Sequence, residues 1–207
     1  MKIERFSTGG TAYPNEDSMV VIQLSPDKVL AILADGMGGL SFGRMAADLS
    51  VNAIASFVCD HMGKLPVREL LVKSLKYADT VIAGKSMELR SKMGAAVAIA
   101  YITGNAIHCT WLGNVRIYLN ANKSITQLTT DHVLDVGYGR KMLTRCLKGD
   151  GIRPDVPYLC RKVESGSILC LCSDGFYKQT ESNKMMHHSI RFNEEYEDDA
   201  SLIRIDL

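Results

Sequence analysis

Short, uninterrupted apolar runs that end at an acidic residue are the strongest pattern in this chain. The run Val29–Ala34 stops at Asp35 and Gly36, and the run Ser167–Cys172 is followed closely by Asp174. A continuous apolar run of this length, bounded by turn residues, predicts a strand that is buried on both faces. We therefore expect two buried strands, each of which holds a carboxylate at its end.

Further strands are predicted from apolar alternation and from turn residues. Strand character extends over residues 1–6, 18–24, 94–102, 106–112, 116–119, 156–163, 168–172 and 201–205. A turn signal at Ser25-Pro26-Asp27 predicts a hairpin between the second strand and the central one. A second signal at Thr103-Gly104-Asn105 predicts an antiparallel meander that begins at residue 94 and continues through residue 119.

Helical periodicity appears between these strands. Apolar residues that recur every three or four positions predict amphipathic helices through Ala46–Phe57 and Leu71–Ile82, and a short helix is predicted over Met142–Leu147. Strands in two groups with a helical pair between them predict an α+β fold, a four-layer α-β-β-α sandwich in which two antiparallel sheets are flanked by helices. The length of 207 residues, without a low-complexity linker, predicts a single domain over residues 1–207.

The composition excludes several classes of partner. The 24 basic and 23 acidic residues leave a net charge of +1, without the basic excess of proteins that bind nucleic acid or anionic membranes. No apolar run is long enough to cross a bilayer, and the first residues lack the apolar segment of a signal peptide. We therefore expect a cytoplasmic protein with no nucleic-acid and no membrane partner. The six cysteines have no C-x-x-C spacing and are expected to be reduced thiols.

Acidic residues gather at the predicted strand ends. Besides Asp35 and Asp174, the pair Glu16 and Asp17 precedes the second strand, and Asp198 precedes the last one. Carboxylates brought together would repel one another unless cations compensate them, and hard oxygen ligands favour Mg²⁺, Mn²⁺ or Ca²⁺ over zinc. The pattern indicates two-metal hydrolysis. A plain β-turn with a solvated aspartate is the alternative interpretation of a single Asp-Gly pair.

Several short motifs together resemble a known family. In chain order they are N-E-D-S, D-G-M-G-G followed by Gly43 and Ala46, M-G-A-A, L-G-N-V-R-I-Y-L, L-T-T-D-H, C-S-D-G and D-D-A-S. Their order is similar to that of the metal-dependent protein serine/threonine phosphatases of type 2C, the PPM family. The resemblance runs from about Phe6 to the last residue and implies the same sandwich fold.

The resemblance implies a site, a cofactor and a substrate. Asp35 would bridge two Mn²⁺ or Mg²⁺ ions and, with Asp174, carry catalysis. The remaining implied metal-site residues are the Gly36 carbonyl, Asp174 and Asp198 as ligands, and Glu16 or Asp17 as holders of metal-bound water. The implied reaction is direct attack of an activated water on phosphoserine or phosphothreonine in a phosphorylated protein.

Four positions depart from the family pattern. Ala12 replaces an arginine that grips substrate phosphate in bacterial members, and Arg44 is the alternative cation. Asn114 and Lys178 occupy positions where the family often has carboxylates for a third metal, so two ions are expected rather than three. Met37 stands where many eukaryotic members have a histidine. A degenerate domain that binds a regulatory partner is the alternative to an active phosphatase.

Overall fold

Strands and helices alternate along the chain much as the apolar pattern predicts. The computed structural model describes residues 1–11, 14–37, 40–137, 141–185 and 195–207. In chain order the elements are β1 (Lys2–Thr8), β2 (Asp17–Ser25), β3 (Lys28–Gly36), α1 (Gly43–His61), α2 (Val67–Leu89), β4 (Ala95–Thr103), β5 (Ala106–Leu112), β6 (Arg116–Ala121), β7 (Ser124–Gln127), β8 (Val133–Asp135), β9 (Lys141–Leu143), β10 (Tyr158–Lys162), β11 (Ile168–Cys172), α3 (Asp174–Gln179), α4 (Ser182–Met185) and β12 (Ala200–Asp206).

Two antiparallel sheets form the centre of the fold. Within the described residues, the first has the order β10-β5-β4-β3-β2 and the second the order β1-β12-β11-β6-β7, while β8 and β9 form a separate two-stranded sheet. The predicted hairpin between β2 and β3 is confirmed, with Asp17 opposite Asp35. The last strand, β12, lies between β1 and β11 inside the second sheet.

Strand β3 shows why its sequence is apolar at consecutive positions. Leu30, Ile32 and Ala34 pack in the core beneath α1 and α2, whereas Val29, Ala31 and Leu33 pack in the core between the two sheets. Both faces of the strand are therefore covered, and burial of each large aliphatic side chain contributes about 1.5–3 kcal/mol.

A third apolar cluster covers the outer face of the second sheet. Cys170, Cys172 and Leu202 of this sheet pack there with Phe176 of α3 and Met185 of α4. The sandwich of two antiparallel sheets flanked by helices is thus confirmed. Its helical layers are unequal, because α1 and α2 have 19 and 23 residues whereas α3 and α4 have only six and four.

The predicted meander is wrong at its third strand. Strand β6 leaves the first sheet after β5 and pairs with β11 and β7 of the second sheet. The crossing segment begins at Gly113, whose φ of 106° is a conformation that favours glycine. Ile117 and Leu119 then face the core between the sheets. An alternating strand fits either sheet, so apolar alternation alone could not identify its partner.

The predicted short helix over Met142–Leu147 is also wrong. Strand β9 occupies its beginning, and the backbone of Leu147 pairs with that of Ala95. The carboxylate of Asp79 on α2 accepts hydrogen bonds from the N–H groups of Lys148, Gly149 and Gly151 at distances of 2.8–3.0 Å. Contacts with the first sheet and with α2 thus hold this segment in an extended form.

Candidate active site

The predicted acidic residues meet at one end of the sandwich. Strand β3 ends at Asp35 and Gly36, and Asp17 begins the adjacent strand β2. In the second sheet, Asp174 follows β11 and Asp198 lies just before β12. Because the strands of both sheets end at the same side, four separate parts of the sequence supply carboxylates to one place.

A cavity of about 400 Å³ lies between these strand ends. The acidic residues that line it are Glu16, Asp35, Asp174, Glu197, Asp198 and Asp199. Gly36, Met37, Asn114 and Lys141 also contribute to its walls. Of the six residues that the sequence assigns to the metal site, five therefore line the cavity, and only Asp17 lies behind its wall.

Asp17 is a buried carboxylate with one oxygen unsatisfied. Its side chain is 2% exposed, and Ser173 donates a hydrogen bond of 2.7 Å from its hydroxyl to Oδ2. The other oxygen, Oδ1, has no hydrogen-bond partner among the described residues. Burial raises the pKa of Asp17 to about 7, against the opposing effect of hydrogen bonds from Ser173 and Ser201.

Asp35 is buried beside several other carboxylates, and its pKa reflects both effects. Burial raises the pKa of Asp35 well above its usual range, and the negative charges of Asp17, Asp174, Asp198 and Asp199 raise this pKa further. The metal-free site therefore holds its carboxylates against strong mutual repulsion. A bound cation would relieve this repulsion.

Glu16 is fixed by contacts with two other parts of the chain. Its backbone N–H donates to Oδ2 of Asp199 at 2.7 Å, and Oδ1 of Asp199 accepts the N–H of Gly10 at 3.0 Å. Burial raises the pKa of Glu16, against the opposing effect of a hydrogen bond from the backbone N–H of Arg44 in the first turn of α1. A Cβ on Gly43 would lie 2.6 Å from this carboxylate, so any larger residue at position 43 would displace the Glu16 carboxylate from its present position.

Asp174 is engaged by two neighbouring side chains. Lys178 Nζ lies 2.8 Å from Oδ2 of Asp174, and Asn114 Nδ2 donates to the same oxygen at 2.9 Å. The Oδ1 atom of Asn114 is buried and has no partner within the described part of the chain. The two departures from the family pattern at positions 114 and 178 thus meet on one proposed metal ligand.

The residues of this site fit a divalent metal of the magnesium type. All the candidate ligands are hard oxygen donors, and the unsatisfied Oδ1 of Asp17 and the mutual repulsion around Asp35 both call for a cation. In the described ranges, no group of three or more Asp, Glu, His or Cys side chains is already close enough to hold an ion.

Other sequence-based predictions for the site have different outcomes. Ala12 lies outside the described residues. Arg44 donates from Nη1 to the carbonyls of Asn15 and Asp17 and pairs with Asp48, and it lines a neighbouring groove rather than the acidic cavity. These contacts do not support Arg44 as the substitute phosphate-binding cation.

The cysteines near the site are unsuited to nucleophilic chemistry. Burial raises the pKa of Cys170 to about 12 and also raises the pKa of Cys172 well above its usual range. A thiolate nucleophile needs a lowered pKa and access to substrate. Cys170 and Cys172 are therefore unsuited to act as the nucleophile.

Sequence reasoning missed two residues that shape the site. Ser173 holds Asp17, and Asp199 links Glu16 to Gly10. The adjacent acid in Asp198-Asp199 and the serine before Asp174 were visible in the motifs. Their hydrogen-bond partners are between 156 and 189 positions away, so local sequence could not reveal these contacts.

Two antiparallel sheets between helices, with oxygen ligands converging at one end, define a metal-dependent hydrolase of the sandwich class. The family model for protein phosphatase 2C matches residues 10–203. The chain belongs to the protein phosphatase 2C family. This confirms the resemblance that the motifs suggested, and with it the prediction of a serine/threonine protein phosphatase.

Individual relatives agree with this assignment. The serine/threonine phosphatase stp of Listeria welshimeri is 26% identical over 202 residues, covering 87% of this chain and 79% of the relative. The structure of the phosphatase Stp1 from Staphylococcus aureus has a TM-score of 0.84 at 17% identity and covers 100% of this chain and 94% of the other. The catalytic domain of the phosphatase PstP, in complex with two manganese ions, has a TM-score of 0.79 at 23% identity, with coverages of 99% and 97%.

Proposed function

We propose that this protein hydrolyses phosphoserine and phosphothreonine in phosphorylated proteins, with two Mn²⁺ or Mg²⁺ ions held in the acidic cavity. Asp35, the Gly36 carbonyl, Asp174 and Asp198 would hold the ions. The observation that carries the proposal is the convergence of these carboxylates at one cavity. Burial raises the pKa of Asp35, and the negative charges of the neighbouring carboxylates raise it further. The PstP relative that contains two manganese ions supports the expected number.

The metals would supply Lewis-acid activation of water and neutralisation of phosphoryl charge. The protein's own residues hold the acidic groups of the site in position. Asp199 fixes the backbone of Glu16, and Ser173 fixes the carboxylate of Asp17 behind the cavity wall. In the proposed reaction, Glu16 or Asp17 would orient water by hydrogen bonding.

Binding of the substrate phosphate would depend on the bound metal ions more than on side chains of the protein. The described lining of the cavity contains six carboxylates and one cation, Lys141. A phosphate dianion would be repelled by this wall until bound ions reverse its charge. Phosphoester binding should therefore require prior metal binding.

The alternative function, binding of a regulatory partner by a degenerate and inactive domain, has less support. Such a domain would have no need to retain mutually repelling carboxylates around one cavity. All six predicted metal-site residues are present, and five of them line the cavity.

The proposal is tested by measuring hydrolysis of a phosphothreonine peptide and of a small aryl phosphate at increasing Mn²⁺ and Mg²⁺. The wild type should be inactive with chelator and active with either metal. Asp35→Asn should lower turnover by more than about a hundredfold. Mutation of residues that only hydrogen-bond to metal ligands already lowers metal affinity or activity by up to about a hundredfold, and Asp35 is proposed to be a ligand itself. Asp48→Asn, on the exposed surface of α1, is the control. Metal-independent turnover, or near wild-type activity of Asp35→Asn, would contradict the proposal.

A further inference from the structure

Lys178 lies in direct contact with a carboxylate of the proposed metal site. Asp174 and Lys178 are four residues apart on α3, so their side chains share one face of the helix. The Lys178 Nζ to Asp174 Oδ2 distance is 2.8 Å, with side-chain exposures of 56% and 18% respectively. The ammonium group thus lies at the surface while its partner faces the cavity.

Asn114, in the segment just before β6, makes a second contact with the same carboxylate. Its Nδ2 donates to the same Oδ2 atom of Asp174 at 2.9 Å. One positive charge and one amide dipole therefore converge on a single carboxylate oxygen. A dication that uses Oδ2 of Asp174 must displace at least one of these two groups.

Lys178 also lines a second cavity next to the acidic one. This second cavity has a volume of about 460 Å³, and its walls include Asn114, Lys141 and Asp174, residues that it shares with the acidic cavity. A displaced ammonium group would therefore remain beside the site, where its charge still opposes an incoming dication.

We propose that Lys178 is a built-in counter-ion of the metal site, which neutralises Asp174 in the metal-free protein and lowers the affinity of the site for divalent metal. This inference rests on the proposed function, because it assumes that Asp174 is a metal ligand. An ordinary exposed pair of this spacing contributes little. This one differs because its acid belongs to a crowded cluster, so that the lysine charge matters both for the metal-free fold and for metal binding.

The test measures Mn²⁺ binding by isothermal titration calorimetry and the melting temperature of the chelated protein, without substrate. Lys178→Met should lower the Mn²⁺ Kd by about tenfold, because it removes both the competing ion pair and the repulsion. It should also lower the melting temperature without metal, because the carboxylate cluster loses a compensating charge. Lys178→Arg should retain a Kd within about twofold of the wild type, because the charge is kept.

Lys73→Met is a matched control. Lys73 forms an ion pair with Glu69 at 2.7 Å on α2, with the same spacing of four residues and an exposure of 51%. This substitution should leave the Mn²⁺ Kd unchanged. A shared change in Lys73→Met and Lys178→Met would overturn the inference, because the effect would then reflect total charge rather than contact with Asp174.

The outcomes separate this inference from the proposed function. If wild type and Lys178→Met bind Mn²⁺ equally well, Lys178 is not a competing counter-ion, and the proposed function still stands. If only Lys178→Met binds Mn²⁺, the inference is supported and metal-dependent catalysis by the wild type is contradicted. If neither binds Mn²⁺, both proposals are overturned.

Discussion

Asp17 shows at the scale of one residue what the site requires. A carboxylate that is 2% exposed would normally have both oxygens satisfied, yet only Oδ2 receives a hydrogen bond within the described residues. An unsatisfied buried acceptor costs about 1–3 kcal/mol, and more if it is charged. Such a cost is understandable where a bound ion or its water completes the group. Asp17 therefore connects the energetics of the fold with the chemistry of the site.

The raised pKa of Asp17 predicts how the stability of the metal-free protein depends on pH. Its pKa is about 7 in the folded state, against 3.8 for an unperturbed aspartate. Between these values the folded protein holds a proton that the unfolded chain has lost, so the free energy of unfolding should fall as pH rises from 5 to 7. Asp35, whose pKa is also raised, acts in the same direction.

Urea denaturation with a chelator at several pH values would measure this dependence. Asp17→Asn should reduce the slope, since the amide cannot ionise. A free energy of unfolding that rises with pH in the wild type between 5 and 7 would contradict the assignment of Asp17 as a destabilising buried acid.

At the scale of elements, the site depends on loops that distant carboxylates hold in place. Asp199, before β12, accepts the N–H groups of Gly10 and Glu16 and so ties the loop after β1 to the end of the second sheet. Asp79 does the same for the loop around Lys148. Each carboxylate satisfies backbone donors that the local structure leaves unpaired.

Replacing Asp199 should weaken the site without unfolding the protein. Asp199→Ala leaves the Glu16 and Gly10 N–H groups without their acceptor, so we expect a loss of about ten- to a hundredfold in Mn²⁺ affinity or turnover. Calorimetric titration with Mn²⁺ would measure the metal affinity, and hydrolysis of a phosphothreonine peptide would measure the turnover. Asp150→Ala, at an exposed carboxylate paired with Lys148, is the control. Unchanged metal affinity and turnover in Asp199→Ala would show that the link to Glu16 is dispensable.

Replacing Asp79 should mainly affect stability. The residue is 4% exposed and accepts three backbone hydrogen bonds, so Asp79→Ala should lower the free energy of unfolding by about 2–4 kcal/mol. Asp79→Asn, which keeps one acceptor oxygen, should lose less. Urea unfolding at fixed pH measures both, with Asp60→Ala on the exposed face of α1 as control. Equal stability of Asp79→Ala and wild type would contradict this role.

At the scale of the whole molecule, the proposed metal site lies between the two sheets. Asp17 and Asp35 belong to the first sheet, whereas Asp174 and Asp198 adjoin strands of the second. An ion held by both groups would bind the folded protein and not the unfolded chain. Metal binding should therefore be linked to global stability. Among the described residues, no helix is long and apolar enough to span a membrane. The single domain over residues 1–207 remains a prediction.

Mn²⁺ should raise the melting temperature in a concentration-dependent way. At a free concentration of 100 times Kd, one site adds about 2.7 kcal/mol to the free energy of unfolding. Differential scanning calorimetry of the wild type and Asp174→Asn with increasing Mn²⁺ would test this linkage. The variant should show a smaller rise, and a rise of equal size in both proteins would place the ion elsewhere.

The sequence by itself determined the buried strands, the two long helices, the acidic strand ends and the family. These features depend on local patterns. Val29–Ala34 is apolar at every position because β3 is covered on both faces. The change from apolar residues to Asp35 marks the acidic end of the strand. The motifs that indicated the family, which the family match confirms, are likewise a property of the linear chain.

Only the tertiary structure decided which strands pair and which charges meet. Strand β6 alternates in a way that fits either sheet, so its crossing to the second sheet depends on packing between layers. The segment around Leu147 is extended because Ala95 and Asp79 bind its backbone, against its own apolar spacing. The contact of Asn114 with Asp174 spans 60 positions of sequence. Contacts across such separations arise from the fold as a whole, and local periodicity carries no information about them.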